Sequence, residues 1–403
     1  MSLALFASAA MTSAQTQPPP VYAVIFTHIE DNTPAGVLGT QQSRQNYLLY
    51  RGKLIAVANL CLGYNVRWSL QPDWKFLLAA LLYEDSSLIA TTNGKNLFRY
   101  LKEDLNVAID PHSHEQGYNY TDVAHLLDSL GVGGSTVIGG HIWDPRLPQF
   151  QQWDRFRIPV PGSRYTWARW RGDILMGSGT PNHVNDPLIS GVWRPKDRFN
   201  YFVDDPAGNI ASVGQYKGDV AGVAELINLY ASGVVPAQFM LTASIPLKPA
   251  TIIAANGLTT IADSVLIPLV ALRNSGKVKL TDFTSLISDW RTLFGSRAYL
   301  YDPNSTVHVD DHPLIPHETA LYQNYPNPFN PNTVISFQLP VSGHVTLKVF
   351  DVNGREVATL VDGNLAAGNH AVTFAPREAT TGLYFYKITA GKFSQTRKAV
   401  LFK

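Results

Sequence analysis

The chain has 403 residues, 45% hydrophobic and 16% charged, which is enough for two domains and a large core. Its 32 Lys and Arg nearly balance 31 Asp and Glu, so no basic excess exists to attract nucleic acid. A single cysteine, Cys61, excludes an intramolecular disulfide and a thiolate metal cluster; within the apolar run Leu54–Leu62 it reads as a small buried hydrophobe.

Residues 1–14 are small and apolar, Thr12 and Ala14 suit signal peptidase, and Gln15–Pro20 turns polar and proline-rich. This predicts a secretory signal peptide over 1–14, although the first basic residue is Arg44. The stretch is too short to span a bilayer, and no other stretch is a transmembrane candidate.

Val21–Thr27 is an unbroken β-branched and aromatic run, the pattern of a strand buried on both faces. It ends in His28, Glu30 and Asp31 ahead of Pro34, and α/β barrels gather catalytic and ligand residues at such strand ends. Gln41–Gly52 has helical spacing, Leu54–Leu62 suits a helix or a buried strand, and Trp74–Tyr83 is apolar. Asn93–Leu105 has helical spacing and leads into Leu105–Ile109, a short strand that delivers Asp110-Pro111-His112-Ser113-His114-Glu115. Histidines at i and i+2 share one face of an extended segment. Both imidazoles can then converge on one ion, at about 2.0–2.1 Å if it is zinc. Asp110 and Glu115 flank them and can ligate, orient a histidine or move protons. The alternative is a polar loop whose histidines bond backbone.

Tyr120–Leu130 is an amphipathic helix with Val123, Leu126, Leu127 and Leu130 on one face. Ser135–Ile138 is a short strand delivering Gly139, Gly140, His141, Trp143 and Asp144. Such alternation of strand, polar strand end and helix predicts an α/β fold. Residues 145–215 read as a loop-rich insertion over a barrel mouth or as a set of short strands; they hold His183, Asp186 and Trp193-Arg194-Pro195. Helices at Asp219–Tyr230, Leu258–Ser275 and Thr281–Phe294 surround the apolar Phe239–Ile245 and a short strand at Val278–Leu280. Residues 303–320 read as a linker, in which His308, Asp310, Asp311 and His312 can bind metal or simply be solvated. Trp143, Trp167, Trp170 and Trp193 can stack on sugar rings or fill the core. No GxSxG elbow, P-loop or dinucleotide fingerprint is present.

From residue 321 the composition shifts to proline-punctuated turns and period-two strands, with Asn353-Gly354 as a hairpin turn, which predicts a small antiparallel β-sandwich. The stretches NYPNPFNPNTVISFQLP, VFDVNGREVATL, AAGNH, GLYFYKI and TRKAVLFK closely resemble the type A C-terminal sorting domain of the type IX secretion system. The resemblance covers nearly all of 321–403. It implies export through the periplasm and outer membrane by that machinery, to the surface or the medium. Residues 321–403, with their end Lys398–Lys403, would then be a recognition surface and say nothing of the cargo's chemistry.

In the cargo, a carboxylate with two histidines leaves an open position on a zinc-like ion, where water is acidified. Asp31, His112 and His114 are the candidate ligands and Glu30 the candidate general base. This pattern resembles the polysaccharide deacetylase family. Thr27–Pro34 stands where that family has a TFDDGP-like motif. His112-Ser113 opens an H(S/T)xxH-like motif, although Gln116 holds the +4 position and the second histidine is His114. Trp193-Arg194-Pro195 matches a motif whose arginine orients the base. The resemblance implies a distorted (β/α) barrel over 15–302, a divalent metal such as zinc, and removal of acyl groups from a glycan amide or ester. Glu30 and Arg194 would be catalytic, with His141, Trp143 and His183 lining the substrate site; His28 is either a third histidine ligand or a strand-end residue. The alternatives are a non-catalytic carbohydrate-binding or cell-surface protein on a degenerate barrel, and a metal-dependent hydrolase of phosphoesters or small amides.

Overall fold

The structure is a computed structural model that describes residues 18–115, 117–140, 152–176, 188–198, 200–303, 319–324, 327–376 and 380–402. The expected signal peptide, Gln116, His141, Trp143, Asp144, His183, Asp186 and the linker residues His308, Asp310, Asp311 and His312 lie outside the described residues.

β1 (Val21–Ile29) is followed by α1 (Gln41–Gly63), β2 (Trp68–Pro72), α2 (Trp74–Tyr83), α3 (Ser86–Ala90), α4 (Leu97–Glu103), β3 (Ala108–Ile109), α5 (Tyr120–Ser129) and β4 (Val137–Ile138). Short strands come next: β5 (Val160–Pro161), β6 (Arg169–Trp170), β7 (Ile174–Met176), β8 (Val192–Trp193) and β9 (Ala211–Val213). Then follow α6 (Val220–Ala231), β10 (Thr242–Pro246), α7 (Pro249–Ile253), α8 (Gly257–Ile261), α9 (Ile267–Asn274), β11 (Val278–Thr281) and α10 (Phe283–Leu293). Leu54–Leu62 is thus helical, as the second half of α1, and buried Cys61 lies within it, where burial pushes the thiol up to about 12. The helices start where short polar side chains can satisfy open backbone N–H groups. Thr40, Asp73, Asn96, Asn119, Asp219 and Asp282 each accept from the first turn that follows.

β1 is central because both of its faces are apolar. Val21, Ala23, Ile25 and Ile29 join the core under α1, α2, α4 and α5, while Tyr22, Val24 and Phe26 pack with Phe283, Leu286, Ile287 and Trp290 of α10. β10 pairs in parallel with Tyr22–Phe26 on one edge of β1. The other edge is shared, with β11 along Val21–Val24 and β2 along Ile25–Ile29, both parallel. β3 extends this sheet from β2. A second sheet has the order β4-β7-β9-β8, parallel except for β8.

The expected (β/α) barrel is not reached as a continuous ladder: the described strands form several separate sheets in a mixed α/β fold. The cause is local. Pro111 has no N–H to continue the ladder beyond β3, and β4 ends at Gly139 and Gly140, the latter at φ +71°. The two sheets nevertheless meet through backbone at two seams and share a core between Val24 of β1 and Val137, Met176 and Val213. A parallel bridge joins His112 to Gly139, and the Ser244 N–H donates to the Gln215 carbonyl at 3.1 Å.

The C-terminal part is antiparallel. β12 (Ala320–Leu321), β13 (Thr333–Leu339) and β16 (Gly368–Phe374) form one sheet; β14 (Gly343–Phe350), β15 (Glu356–Leu365), β17 (Gly382–Ala390) and β18 (Phe393–Leu401) form another. The alternating residues Ile335, Phe337 and Leu339 of the first and Val345, Leu347, Val349, Tyr386 and Ile388 of the second share one core. Inside it the Tyr386 hydroxyl donates to the Tyr322 carbonyl at 2.8 Å and accepts from the Asn324 N–H at 2.7 Å.

Candidate metal centre

Parallel strands place their C-terminal ends side by side. β1 ends at Ile29 and delivers His28, Glu30 and Asp31; β2 ends at Pro72 and delivers Asp73; β3 runs into His112 and His114. The β1–β2 register sets His28 opposite Gln71 and Ile29 opposite Pro72, which brings Asp73 level with Glu30.

Glu30 Oε2 lies 3.1 Å from His114 Nε2 and 3.4 Å from His112 Nε2. Asp31 Oδ1 stands 4.0 Å from His114 Nδ1. The His28 ring stacks on His112, with centroids 4.2 Å apart, and His112 meets His114 edge to face. Donor atoms of His28, Glu30 and His112 lie within 4.8 Å of one another, as do those of Asp73, His112 and His114. Two ligands of a tetrahedral zinc with bonds of 2.0–2.1 Å are about 3.3–3.4 Å apart. The 3.4 Å contact of Glu30 with His112 matches that edge and the 3.1 Å contact with His114 is slightly shorter, so the residue types and spacing suit a zinc-like ion.

His112 has a defined tautomer. Its Nδ1 is 3.1 Å from the Gly139 carbonyl, which can only accept, so Nδ1 carries the proton. Nε2 is then a bare lone pair unless the ring is an imidazolium, and it faces a carboxylate oxygen. Two acceptors in that arrangement need a proton or a cation between them. A backbone carbonyl holding the far nitrogen is also how metal-ligating imidazoles are oriented. The Tyr120 hydroxyl donates to the same carbonyl at 2.6 Å and ties α5 to the arrangement.

The protonation of the cluster is uneven. Burial acts to raise the Glu30 carboxyl, but the hydrogen bond from His112 and the charges of His112, His28 and His114 outweigh it and hold Glu30 at about 2. Burial, opposed by the His112 charge and the Trp74 N–H and aided by Asp31 and Glu30, pushes Asp73 up to about 7. Burial also drives His28 well below the usual imidazole range, helped by His112. For His112 itself burial is overcome by Glu30 and Asp73, and its affinity for a proton rises. Two buried atoms, His28 Nε2 and Asp73 Oδ2, have no hydrogen-bond partner. Polar atoms buried in this way are costly unless an ion, water or substrate meets them.

The structure therefore joins Glu30, Asp31, His112 and His114, as the sequence suggests, and adds His28 and Asp73. Asp73 was missed because WSLQP carries no clear strand pattern; an aspartate capping the apolar run from Trp74 is the one signal that could have marked it. Asp110 does not share the centre's contacts. It is buried beside Ser135, whose hydroxyl donates to it at 2.7 Å. Glu115 pairs instead with Arg155. Arg194 is not brought to Glu30: its guanidinium forks Asp204 at 3.1 and 2.8 Å and lies across Trp290 of α10. Trp193 is fully buried, its indole N–H on the Tyr201 carbonyl.

Gly140 supports the centre through its lack of a side chain. A Cβ there would stand 2.3 Å from His112 Nδ1 and 2.9 Å from His28 Cε1, at a positive φ that also strains any other residue. Gly140→Ala is expected to displace both imidazoles and weaken divalent-ion binding about 10- to 100-fold, the range for lost supporting groups. Titration of the purified chain with zinc checks this, and an unchanged affinity would refute the packing argument.

Residues 323–402 match the family described as the secretion system C-terminal sorting domain. The match supports the type IX sorting module expected from the sequence, and with it export to the cell surface or the medium. No described helix is long and apolar enough to cross a membrane. No curated protein matches the chain. Among solved structures, the crystal structure of an engineered protein at 1.98 Å is 12% identical over 95% of this chain and 93% of that chain, with a TM-score of 0.24, a likeness that carries no argument.

Proposed function

We propose that the α/β part is an exported, metal-dependent hydrolase that removes acyl groups from a glycan. The observation that carries this is the convergence of His112 Nε2 and His114 Nε2 on one oxygen of Glu30, at 3.4 and 3.1 Å. Glu30, His112 and His114 would hold the ion. When bound, a divalent ion supplies Lewis acidity to a water and to an acyl oxygen.

The proton affinities divide the carboxylates. A general base works best with an affinity near the operating pH. Glu30, whose Oε2 stands 3.1 and 3.4 Å from the two histidine Nε2 atoms, is placed as a ligand. Asp73, at about 7 with an unpartnered buried Oδ2, is the residue to take a proton. This exchanges the roles expected from the sequence, where Glu30 is the base and Asp31 the ligand. Asp31, with a side chain 30% exposed, is left at the rim to meet substrate. Arg194, committed to Asp204, has no part in orienting the base.

A distorted barrel is the architecture that suits this site. The seams at His112–Gly139 and Ser244–Gln215 would complete a ring β1-β2-β3-β4-β7-β9-β10, with the centre at the C-terminal ends of its strands. A glycan substrate is supported by Trp74, which follows Asp73 and stacks on Tyr118 at 4.5 Å, and by a sorting tail that sends the chain to where polysaccharides are. Release of acetate from acetylated polysaccharides tests the proposal. Zinc-loaded chain should release it, a chelator should stop it, and added zinc should restore it. No release from any acetylated glycan by zinc-loaded chain would overturn the hydrolase assignment.

A further inference from the structure

A second aromatic surface extends from the centre along the loop between β5 and β6. Trp167 at its tip is 70% exposed, the most open tryptophan among the described residues. It forms a trio with Tyr165 at 5.6 Å and His125 at 6.0 Å, and Tyr165 and His125 are themselves 4.4 Å apart. Next along the surface, the Arg164 guanidinium lies 5.4 Å over the Tyr118 ring, which stacks on Trp74 beside Asp73. Arg169 folds onto the Thr166 and Ala168 carbonyls. Arg164 donates to the Gly117 carbonyl. Neither guanidinium meets a carboxylate among the described residues, and both side chains belong to exposed residues.

The loop is preorganised. Buried Asp122 of α5 accepts the backbone N–H groups of Ser163, Arg164 and Tyr165 at 3.0, 3.0 and 2.9 Å. A carboxylate used wholly on backbone holds the loop still, so presenting the aromatic rings costs little ordering entropy. An exposed tryptophan in a rigid loop has no folding role that its burial would explain.

We propose that this strip is a subsite for a carboxylated glycan chain, one that bears uronic acid residues. Flat aromatic faces suit the C–H faces of sugar rings. Arginines without an acidic partner suit planar carboxylates, which they fork with two parallel hydrogen bonds. A neutral glycan would leave that charge unused. The sequence of contacts from Trp167 through Tyr165, Arg164 and Tyr118 to Trp74 leads toward Asp73, so a polymer held there would pass the centre. The inference deepens the glycan hydrolase proposal and rests on it for that direction alone.

Affinity electrophoresis of the full chain through gels containing polygalacturonate, beside gels containing neutral dextran, tests it. The chain should be retarded by polygalacturonate and not by dextran, less so as salt rises. Trp167→Ala should weaken the retardation about tenfold in dissociation constant, the worth of one aromatic anchor. Arg164→Gln with Arg169→Gln should abolish the preference for polygalacturonate. Removal of divalent ions with a chelator should leave retardation unchanged, which separates this subsite from the metal centre. Equal retardation by both polymers, none by either, or full retardation of the Trp167 and arginine variants would overturn the proposal. Intact retardation without acetate release would instead count against the hydrolase assignment alone.

Discussion

His112→Ala is expected to remove the bound divalent ion. Elemental analysis of the purified parent chain should find about one zinc per chain, and the variant none, with affinity lowered by more than about 100-fold, the upper end of what loss of a mere supporting residue produces. The imidazole is 1% exposed and stacked on His28, so its removal also opens a cavity. His114→Ala separates ligation from packing, because its side chain is 31% exposed and its loss leaves the core intact. It should lose the ion as well while unfolding at the parent's temperature. Retention of zinc in both variants would remove the metal centre from the argument.

Asp73→Asn should lower acyl release by about 100- to 10,000-fold, the contribution of a positioned general base, while zinc still binds. The same variant should be more stable in the metal-free chain. The sign follows from linkage. Asp73 titrates at about 7 when folded, above the roughly 3.9 of an unfolded aspartate. Between those values the folded state holds a proton that the unfolded state has lost, so stability falls as pH rises through that window. The full penalty, on the order of 4 kcal/mol, is present above about pH 7. Asparagine is neutral throughout and can still accept from the Trp74 N–H that Asp73 caps at 2.5 Å. Thermal unfolding of the metal-free proteins should therefore coincide below about pH 4, diverge progressively as pH rises, and differ fully above about pH 7. Zinc should reduce the divergence, because its charge favours the Asp73 carboxylate. A variant that keeps its activity, or whose stability tracks the parent at every pH, would place the base elsewhere.

Local pattern reached some elements and not others. β1 was legible because the unbroken β-branched and aromatic run Val21–Thr27 admits little but a strand buried on both faces. The C-terminal strands were legible because period-two alternation and the Asn353-Gly354 turn act over a few residues each. Residues 145–215 left two alternatives, and short strands prevailed where described, because β7, β8 and β9 become strands only by pairing with one another.

The sequence by itself determined that an α/β part precedes an exported-protein sorting tail, and that His112 and His114 share one face at a strand end. These are matters of composition, period and local spacing. Only the tertiary structure decided the company they keep. Parallel pairing of β1 with β2, residues some 40 positions apart in the chain, puts Asp73 beside the histidines and buries it until its carboxyl is pushed up to about 7. The approach of Gly139 and Gly140 sets the His112 tautomer and makes room for its ring. The geometry also points Glu30, rather than Asp31, at both Nε2 atoms. None of this is encoded in any short stretch, because proton affinity and ligand geometry depend on neighbours that only strand register brings together.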